Sequence, residues 1–372
     1  FIIVFYILIP LKIVDNVVGY FLHNATSVIR AGERHIILKE LSPNQEFTIT
    51  PDSLYMTTTQ GLVQTAYPVK TDQNGFIDNR NSIDKFSSQQ SIIFFGGSTT
   101  ETLYVKERNR FPSIIERSLV DKAGLNIRTL NAGVSGNHAF HSLLALLGKD
   151  IPQNPSHIVF MHNMNDLGTL SKSLSYWDSP QTRAVVQLKS TGSISLYSVA
   201  KYIKNLLVPN LYLKIKPLFS NKPIRDEWEG FRGKNSSTQE VFKALDTQYK
   251  ATLESLILIS RAWGIEPILM TQFNRIDVHD EFVRDVYEKR NGNAISFDEF
   301  HDLYGYTNEI VRVIAKKHGV HLIDLDKLIP KNSTFIYDAA HLNDTGSLLA
   351  AEIVIKELIT AFPDKMFRIS GS

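Results

Sequence analysis

Four short stretches of the chain hold residue types that could make and break covalent bonds. In FFGGSTTE, Ser98 follows an apolar run and two glycines. A serine placed there sits on a tight turn, because glycines permit backbone angles that other residues avoid. Its hydroxyl would then be thrust out at the end of a strand. Helix-like residues follow, so the Ser98 amide can point toward whatever the hydroxyl attacks. The same three residues also make an ordinary turn. A phosphate loop is disfavoured, since the Gly-x4-Gly-Lys-Ser/Thr pattern is missing. In IYDAAHLNDTG, Asp338 and His341 stand three apart, a spacing that puts both side chains on one face of a turn. A carboxylate so placed can hold an imidazole in one tautomer and stabilise the imidazolium it becomes on accepting a proton. An acidic residue beside a helix N-terminus with an exposed histidine nearby is the plainer alternative.

The other two stretches supply hydrogen-bond donors. NAGVSGNH carries Gly133 and Gly136, and MHNMNDLG carries Asn165. A glycine amide and an asparagine side-chain amide can both face a developing oxyanion. Each also has a structural alternative, as a turn glycine or as an asparagine bonding its own backbone. His138 and His141 in NHAFH are three apart, but no third or acidic ligand lies nearby in sequence, and no metal site is expected.

The elements that must position these residues alternate. SIIFF, IRTLNAG, HIVFMHN, IEPILMTQF and VHLIDL read as short buried strands. Between them RFPSIIERSLVDKAG, HSLLALLGKDI, QEVFKALDTQYKATLESLILISRAWG and TNEIVRVIAKKHG read as helices, and TGSLLAAEIVIKELITAF as the last one. Such alternation predicts an α/β domain with a parallel sheet covered on both faces. Ligands bind at the carboxyl ends of such strands. Ser98, the two glycines and Asn165 each follow one of those strands, and Asp338 and His341 precede the last helix.

Taken in this order, the blocks GGSTTE, NAGVSGNH, HNMND and YDAAHLNDTG resemble those of the SGNH/GDSL hydrolase superfamily, over roughly residues 90 to 360. The resemblance implies a flavodoxin-like, three-layer α/β/α fold and a serine esterase without a cofactor. It implies Ser98 as nucleophile, His341 as base and Asp338 as its orienting acid. The oxyanion hole would be the amides of Ser98 and Gly136 with the side chain of Asn165. Gly136 is preferred over Gly133 because the family's functional glycine lies four to six residues into its block. The nucleophile block reads Gly-Gly-Ser-Thr rather than Gly-Asp-Ser-Leu, like a bacterial subgroup with an N-terminal extension and an upstream NGFI element, here residues 74 to 77. His162 stands where a glycine-rich run is common and is a candidate lining residue, with a structural strand-end histidine as the alternative.

The rest of the chain sets limits. Of its 372 residues, 43% are hydrophobic and 21% charged, which suits a globular core that needs no metal or disulfide. Forty basic and 38 acidic residues leave +2, with no basic stripe to suggest a nucleic-acid partner. No cysteine is present, which removes thiolate chemistry. The opening FIIVFYILIPL reads as the end of a signal-anchor helix within residues 1–23, or as a buried helix, since a clean span needs roughly 20 apolar residues. The anchor would put the enzyme in the cell envelope, outside the cytoplasm. Residues 30–90 read as a small β-containing extension in which EFTIT and LYMTTTQGLVQTAY are strands, the second turning at Gln60-Gly61. Residues 91–362 form the hydrolase domain. The stretch at about 170–237 fits the alternation poorly and reads as a lid or substrate-facing insertion. Trp177, Tyr176 and Trp228 within it could stack on a sugar or form the insertion's own small core. The expected substrate is a small-molecule or glycan ester. Two rivals stand beside hydrolysis: acyl transfer to a cell-envelope glycan, and non-catalytic binding of a glycan or partner on the same fold.

Overall fold

A computed structural model describes residues 36–77, 90–121, 124–178, 187–188, 236–291 and 295–362. The N-terminal anchor expectation and most of the 170–237 insertion lie outside these residues. Among the described residues no helix is long and apolar enough to cross a membrane.

The first described element is β1 (Ile36–Ile37), which pairs antiparallel with β7 (Gln187–Leu188) in a small unit of its own. The main unit opens with β2 (Glu46–Ile49), α1 (Ser53–Met56) and β3 (Tyr67–Lys70), with β2 and β3 antiparallel. Then come β4 (Gln90–Gly96), α2 (Ser98–Glu101), α3 (Phe111–Asp121), β5 (Ile127–Gly133), α4 (Ala139–Ala145), β6 (His157–Met161) and α5 (Met164–Ser173). After the insertion follow α6 (Thr238–Ala244), α7 (Lys250–Ala262), β8 (Glu266–Met270), α8 (Glu281–Asn291), α9 (Phe297–His318), β9 (His321–Ile323) and α10 (Asp344–Ala361).

Five strands make one parallel sheet in the order β5-β4-β6-β8-β9. Counted along the chain this is 2-1-3-4-5, the flavodoxin-like order, whose switch point lies between β4 and β6. Because successive side chains point to opposite faces, β4 divides its four apolar residues evenly. Ile93 and Phe95 enter one core with residues of α4, α5, α7 and α9, while Ile92 and Phe94 enter the other with residues of α3 and α10. All four are at most 1% exposed. The result is the three-layer α/β/α arrangement that the alternation predicts.

Some local expectations needed correction. LYM is not strand: Asp52 accepts the Tyr55 amide at 2.7 Å and caps the single turn α1, and the second strand begins only at Tyr67. An Asp at the N-cap with helical residues behind it outweighs the β-branched threonines that follow. The long helix before β8 is interrupted by a π-helical turn at Leu245–Tyr249. The first residues of the expected insertion are ordinary helix, since α5 runs on to Ser173.

Candidate active site

The turn after β4 holds Ser98 as the first residue of α2. The glycines before it are needed for space rather than for unusual angles. Gly97 has φ −90°, but a Cβ there would stand 2.2 Å from the Asn165 side-chain nitrogen. Two elements, the Ser98 turn and the start of α5, can therefore touch only if residue 97 has no side chain.

From the loop before α10 come Asp338 and His341, each 7% exposed. His341 Nε2 lies 2.8 Å from Ser98 Oγ, and its Nδ1 lies 2.9 Å from Asp338 Oδ2 and 3.1 Å from Oδ1. The carboxylate is held from behind: Oδ1 accepts the amides of Ala340 at 2.9 Å and His341 at 2.8 Å. Burial pushes the Asp338 carboxyl up, but His341 and these two amides outweigh it and hold the group below the usual carboxylate range. The serine, imidazole and carboxylate thus form one continuous line of hydrogen bonds, drawn from sequence positions more than 240 residues apart.

Of the expected oxyanion donors, Asn165 lies against the same turn and is tied to the loop of Gly136. Asn165, in the first turn of α5, donates one amide hydrogen to the Asn137 carbonyl at 2.9 Å while lying against Gly97. It thereby bridges the Ser98 turn and the loop that holds Gly136. Gly136 has φ +74°, in the region that favours glycine. Among the described contacts, neither the Ser98 nor the Gly136 amide has a protein acceptor. Gly133 differs: its amide donates to Asn131 Oδ1 at 2.9 Å, and a Cβ there would collide with the backbone of Glu101 at 2.3 Å. Gly133 is therefore a packing glycine with its donor used. Ser98, Gly136 and Asn165 are each partly exposed.

Other expected residues sit elsewhere. His162 is 3% exposed and turned inward, with Nε2 2.9 Å from Ser142 Oγ; it does not offer a surface to substrate. Burial lowers it to about 3. Trp177 is 69% exposed, edge-on to Phe140 at 4.6 Å, whereas Tyr176 is buried and stacks on His138. Trp228 is outside the described residues. His138 and His141 are buried ring to ring at 3.7 Å, and the His138 amide donates to His141 Nδ1 at 3.2 Å. They cap α4, and among the described residues no three His, Asp or Glu are grouped to hold a metal.

Three contributors were not read from the sequence. Gln272, just past β8, accepts the Met164 amide at 3.0 Å and donates to Thr99 Oγ1 at 3.2 Å, tying α5 to the residue after Ser98. Asp166 accepts the Ala139 amide at 2.8 Å, tying α5 to α4. Tyr55 reaches Asp338 from α1. An Asn-Asp pair after a strand was a visible signal for the second, while nothing local in LYM or TQF announced the others.

No protein-family model matches the chain, and no curated protein does. Among solved structures, the chain is similar to the acetylxylan esterase Axe2 of Geobacillus stearothermophilus, with 16% identity over 74% of this chain and 96% of the esterase at TM-score 0.40. It is also similar to a lipase/acylhydrolase from Enterococcus faecalis, with 15% identity over 73% and 97% of the two chains at TM-score 0.42. A third likeness is LAE5, an alpha/beta hydrolase enzyme from the metagenome of Lake Arreo, with 14% identity over 75% and 97% at TM-score 0.40. At these scores the likeness carries no functional argument.

Proposed function

We propose that the chain is a serine-dependent ester hydrolase of the SGNH type, with Ser98 as nucleophile, His341 as general base and Asp338 as the group that orients it. The observation that carries this reading is the unbroken line Ser98 Oγ, His341 Nε2, His341 Nδ1, Asp338 Oδ2, at 2.8 and 2.9 Å. A serine hydroxyl is a weak nucleophile until an adjacent base removes its proton, and a triad is recognised by this geometry and not by sequence position.

In the first half-reaction the Ser98 oxygen attacks the ester carbonyl as its proton passes to His341. The carbonyl π pair moves onto oxygen, where the amides of Ser98 and Gly136 and the second amide hydrogen of Asn165 receive it. As the tetrahedral intermediate collapses, the bond to the leaving alkoxide breaks and His341 returns its proton to that oxygen. Water then repeats the sequence against the acyl-serine, releasing the carboxylic acid and restoring Ser98. The test is turnover of p-nitrophenyl acetate by the wild type and by Ser98→Ala. Hydrolysis by the first and none above background by the second is expected. Equal rates would remove Ser98 from the chemistry.

A further inference from the structure

The carboxylate of Asp338 has more support than the loop that carries it supplies. Its Oδ1 is occupied by the Ala340 and His341 amides, and Oδ2, beside His341 Nδ1, also accepts the hydroxyl of Tyr55 at 3.2 Å. His341 and Tyr55 both donate to Asp338 through their side chains, and the Tyr55 hydroxyl also lies 3.4 Å from that of Tyr337. Tyr55 is 283 positions away in the chain, in the N-terminal segment that precedes the sheet.

That segment is pinned to the same loop at further points. The Gln60 amide donates to the Tyr337 carbonyl at 2.6 Å, and Gln60 Oε1 accepts from Arg275 at 2.5 Å. The Arg275 amide in turn donates to the Ala339 carbonyl at 2.8 Å. Tyr55 packs with Leu62, Tyr67 and Tyr337 in a small core, its ring 5.3 Å from that of Tyr104. The hydroxyl is thus held in place by its own packing and by the cap at Asp52, independently of Asp338.

We propose that Tyr55 is a positioning residue of the Asp338–His341 pair, so that the N-terminal segment is a working part of the site. This rests on the triad reading above. A carboxylate offers about four lone-pair directions. With the Tyr55 donor present, Oδ2 has a second side-chain partner besides His341, which restrains the carboxylate against turning. Without it a buried, charged oxygen lacks its second donor, which is costly, and the carboxylate can turn. The other ionisable groups facing the pair are Tyr337, whose ring lies 5.7 Å from His341, Arg275 behind Ala339, and Tyr304, which burial first and then nearby charges, Asp338 among them, hold well above the usual phenol range.

The experiment compares wild type, Tyr55→Phe and Leu62→Ala on p-nitrophenyl acetate across pH, with thermal melting of each. Phenylalanine keeps the ring and removes only the hydroxyl. Leu62→Ala opens the same small core without touching the carboxylate. Tyr55→Phe is expected to lose about tenfold in kcat at unchanged KM, the size of one hydrogen bond. The acid limb of its kcat/KM profile should move to higher pH, because a carboxylate relieved of a donor holds the His341 proton more strongly. Leu62→Ala should melt lower with kcat and acid limb as in wild type. A Tyr55→Phe enzyme with wild-type kcat and acid limb overturns the proposal. So does a kcat loss shared by Leu62→Ala with both acid limbs unmoved, which would make Tyr55 a packing residue only. A wild type that hydrolyses nothing defeats the triad reading itself, and is seen before any Tyr55 variant is compared.

Discussion

Two histidine–aspartate pairs lie at the carboxyl edge of this sheet, and they are built in opposite ways. Asp338 and His341 are three apart, in hydrogen-bond contact at 2.9 Å, and open onto Ser98. His162 and Asp166 are four apart, with Nδ1 and Oδ2 separated by 3.8 Å, and both are at most 1% exposed in their side chains. The first carboxylate receives two backbone amides, a tyrosine hydroxyl and the imidazole, and is held low. The second receives the Ala139 amide and the Tyr176 hydroxyl, but burial outweighs them and pushes it up to about 7, while burial lowers His162 to about 3. One pair is built as the proposed reaction needs, to carry charge beside a nucleophile. The other is pushed by burial toward a neutral acid beside a neutral imidazole, because an ion pair so deep costs more in desolvation than its attraction returns. Residue type and spacing alone do not separate a catalytic pair from a structural one. The donors around the carboxylate and an open path to a nucleophile do.

The comparison is broken most sharply by matched substitutions. Asp338→Asn is expected to lower kcat about 10³–10⁴-fold, since the imidazole loses both its tautomer and the charge that stabilises its protonated form. Asp166→Asn should lower the melting temperature and leave kcat within a few-fold of wild type. Comparable losses of kcat in the two variants would mean that the buried pair takes part in the chemistry. Next in size is Asn165→Ala, expected to cost about 10²–10³ in kcat at little change in KM, as the loss of one oxyanion donor does.

A subtler test uses stability against pH. Asp166 has a raised folded value, so alone it makes stability fall as pH rises from the unfolded value of 3.8 to about 7. His162 has a depressed folded value, so alone it makes stability fall as pH drops from 6.5 to about 3. Between roughly pH 4 and 6.5 the pair carries one proton in either state, on Asp166 when folded and on the histidine when unfolded, and the two slopes cancel. Asp166→Asn leaves the histidine slope alone. Its destabilisation relative to wild type should therefore be largest near pH 4 and shrink toward pH 6.5, read from melts across that range. A difference that does not change with pH would mean that burial does not depress His162 in the folded variant. The smallest effect expected is from Gly136→Ala, about 1–2 kcal/mol of stability for a Cβ at φ +74°, read from denaturant unfolding.

Much of this layout was legible. The strands β4, β5 and β6 are short apolar runs bounded by turn residues, and their ends carry Ser98, Gly136 and Asn165, so the order of blocks already put these candidate residues at one sheet edge. Asp338 and His341 were visible because they are local to each other. What was not legible is what depends on distant chain. Tyr55 sits in a four-residue helix whose neighbours are β-branched, and only the folded protein brings it to Asp338. His162 stands at a strand end like a lining residue, yet its surroundings, Ser142, Asp166 and the Tyr249 hydroxyl that donates to its carbonyl at 2.7 Å, come from three separate helical stretches that enclose it. Gln272 follows a strand in the company of ordinary polar residues, and its two-sided bond to Met164 and Thr99 has no sequence signature.

Activation of Ser98 by His341 and Asp338 is read most directly by covalent labelling. The protein is treated with a fluorophosphonate, and the modified peptide is located by mass spectrometry in wild type, Ser98→Ala and Asp338→Asn. A label is expected on the peptide bearing Ser98, absent from Ser98→Ala and formed far more slowly in Asp338→Asn. A folded wild type that takes no label at Ser98, or labels as fast without the Asp338 carboxylate as with it, would contradict it.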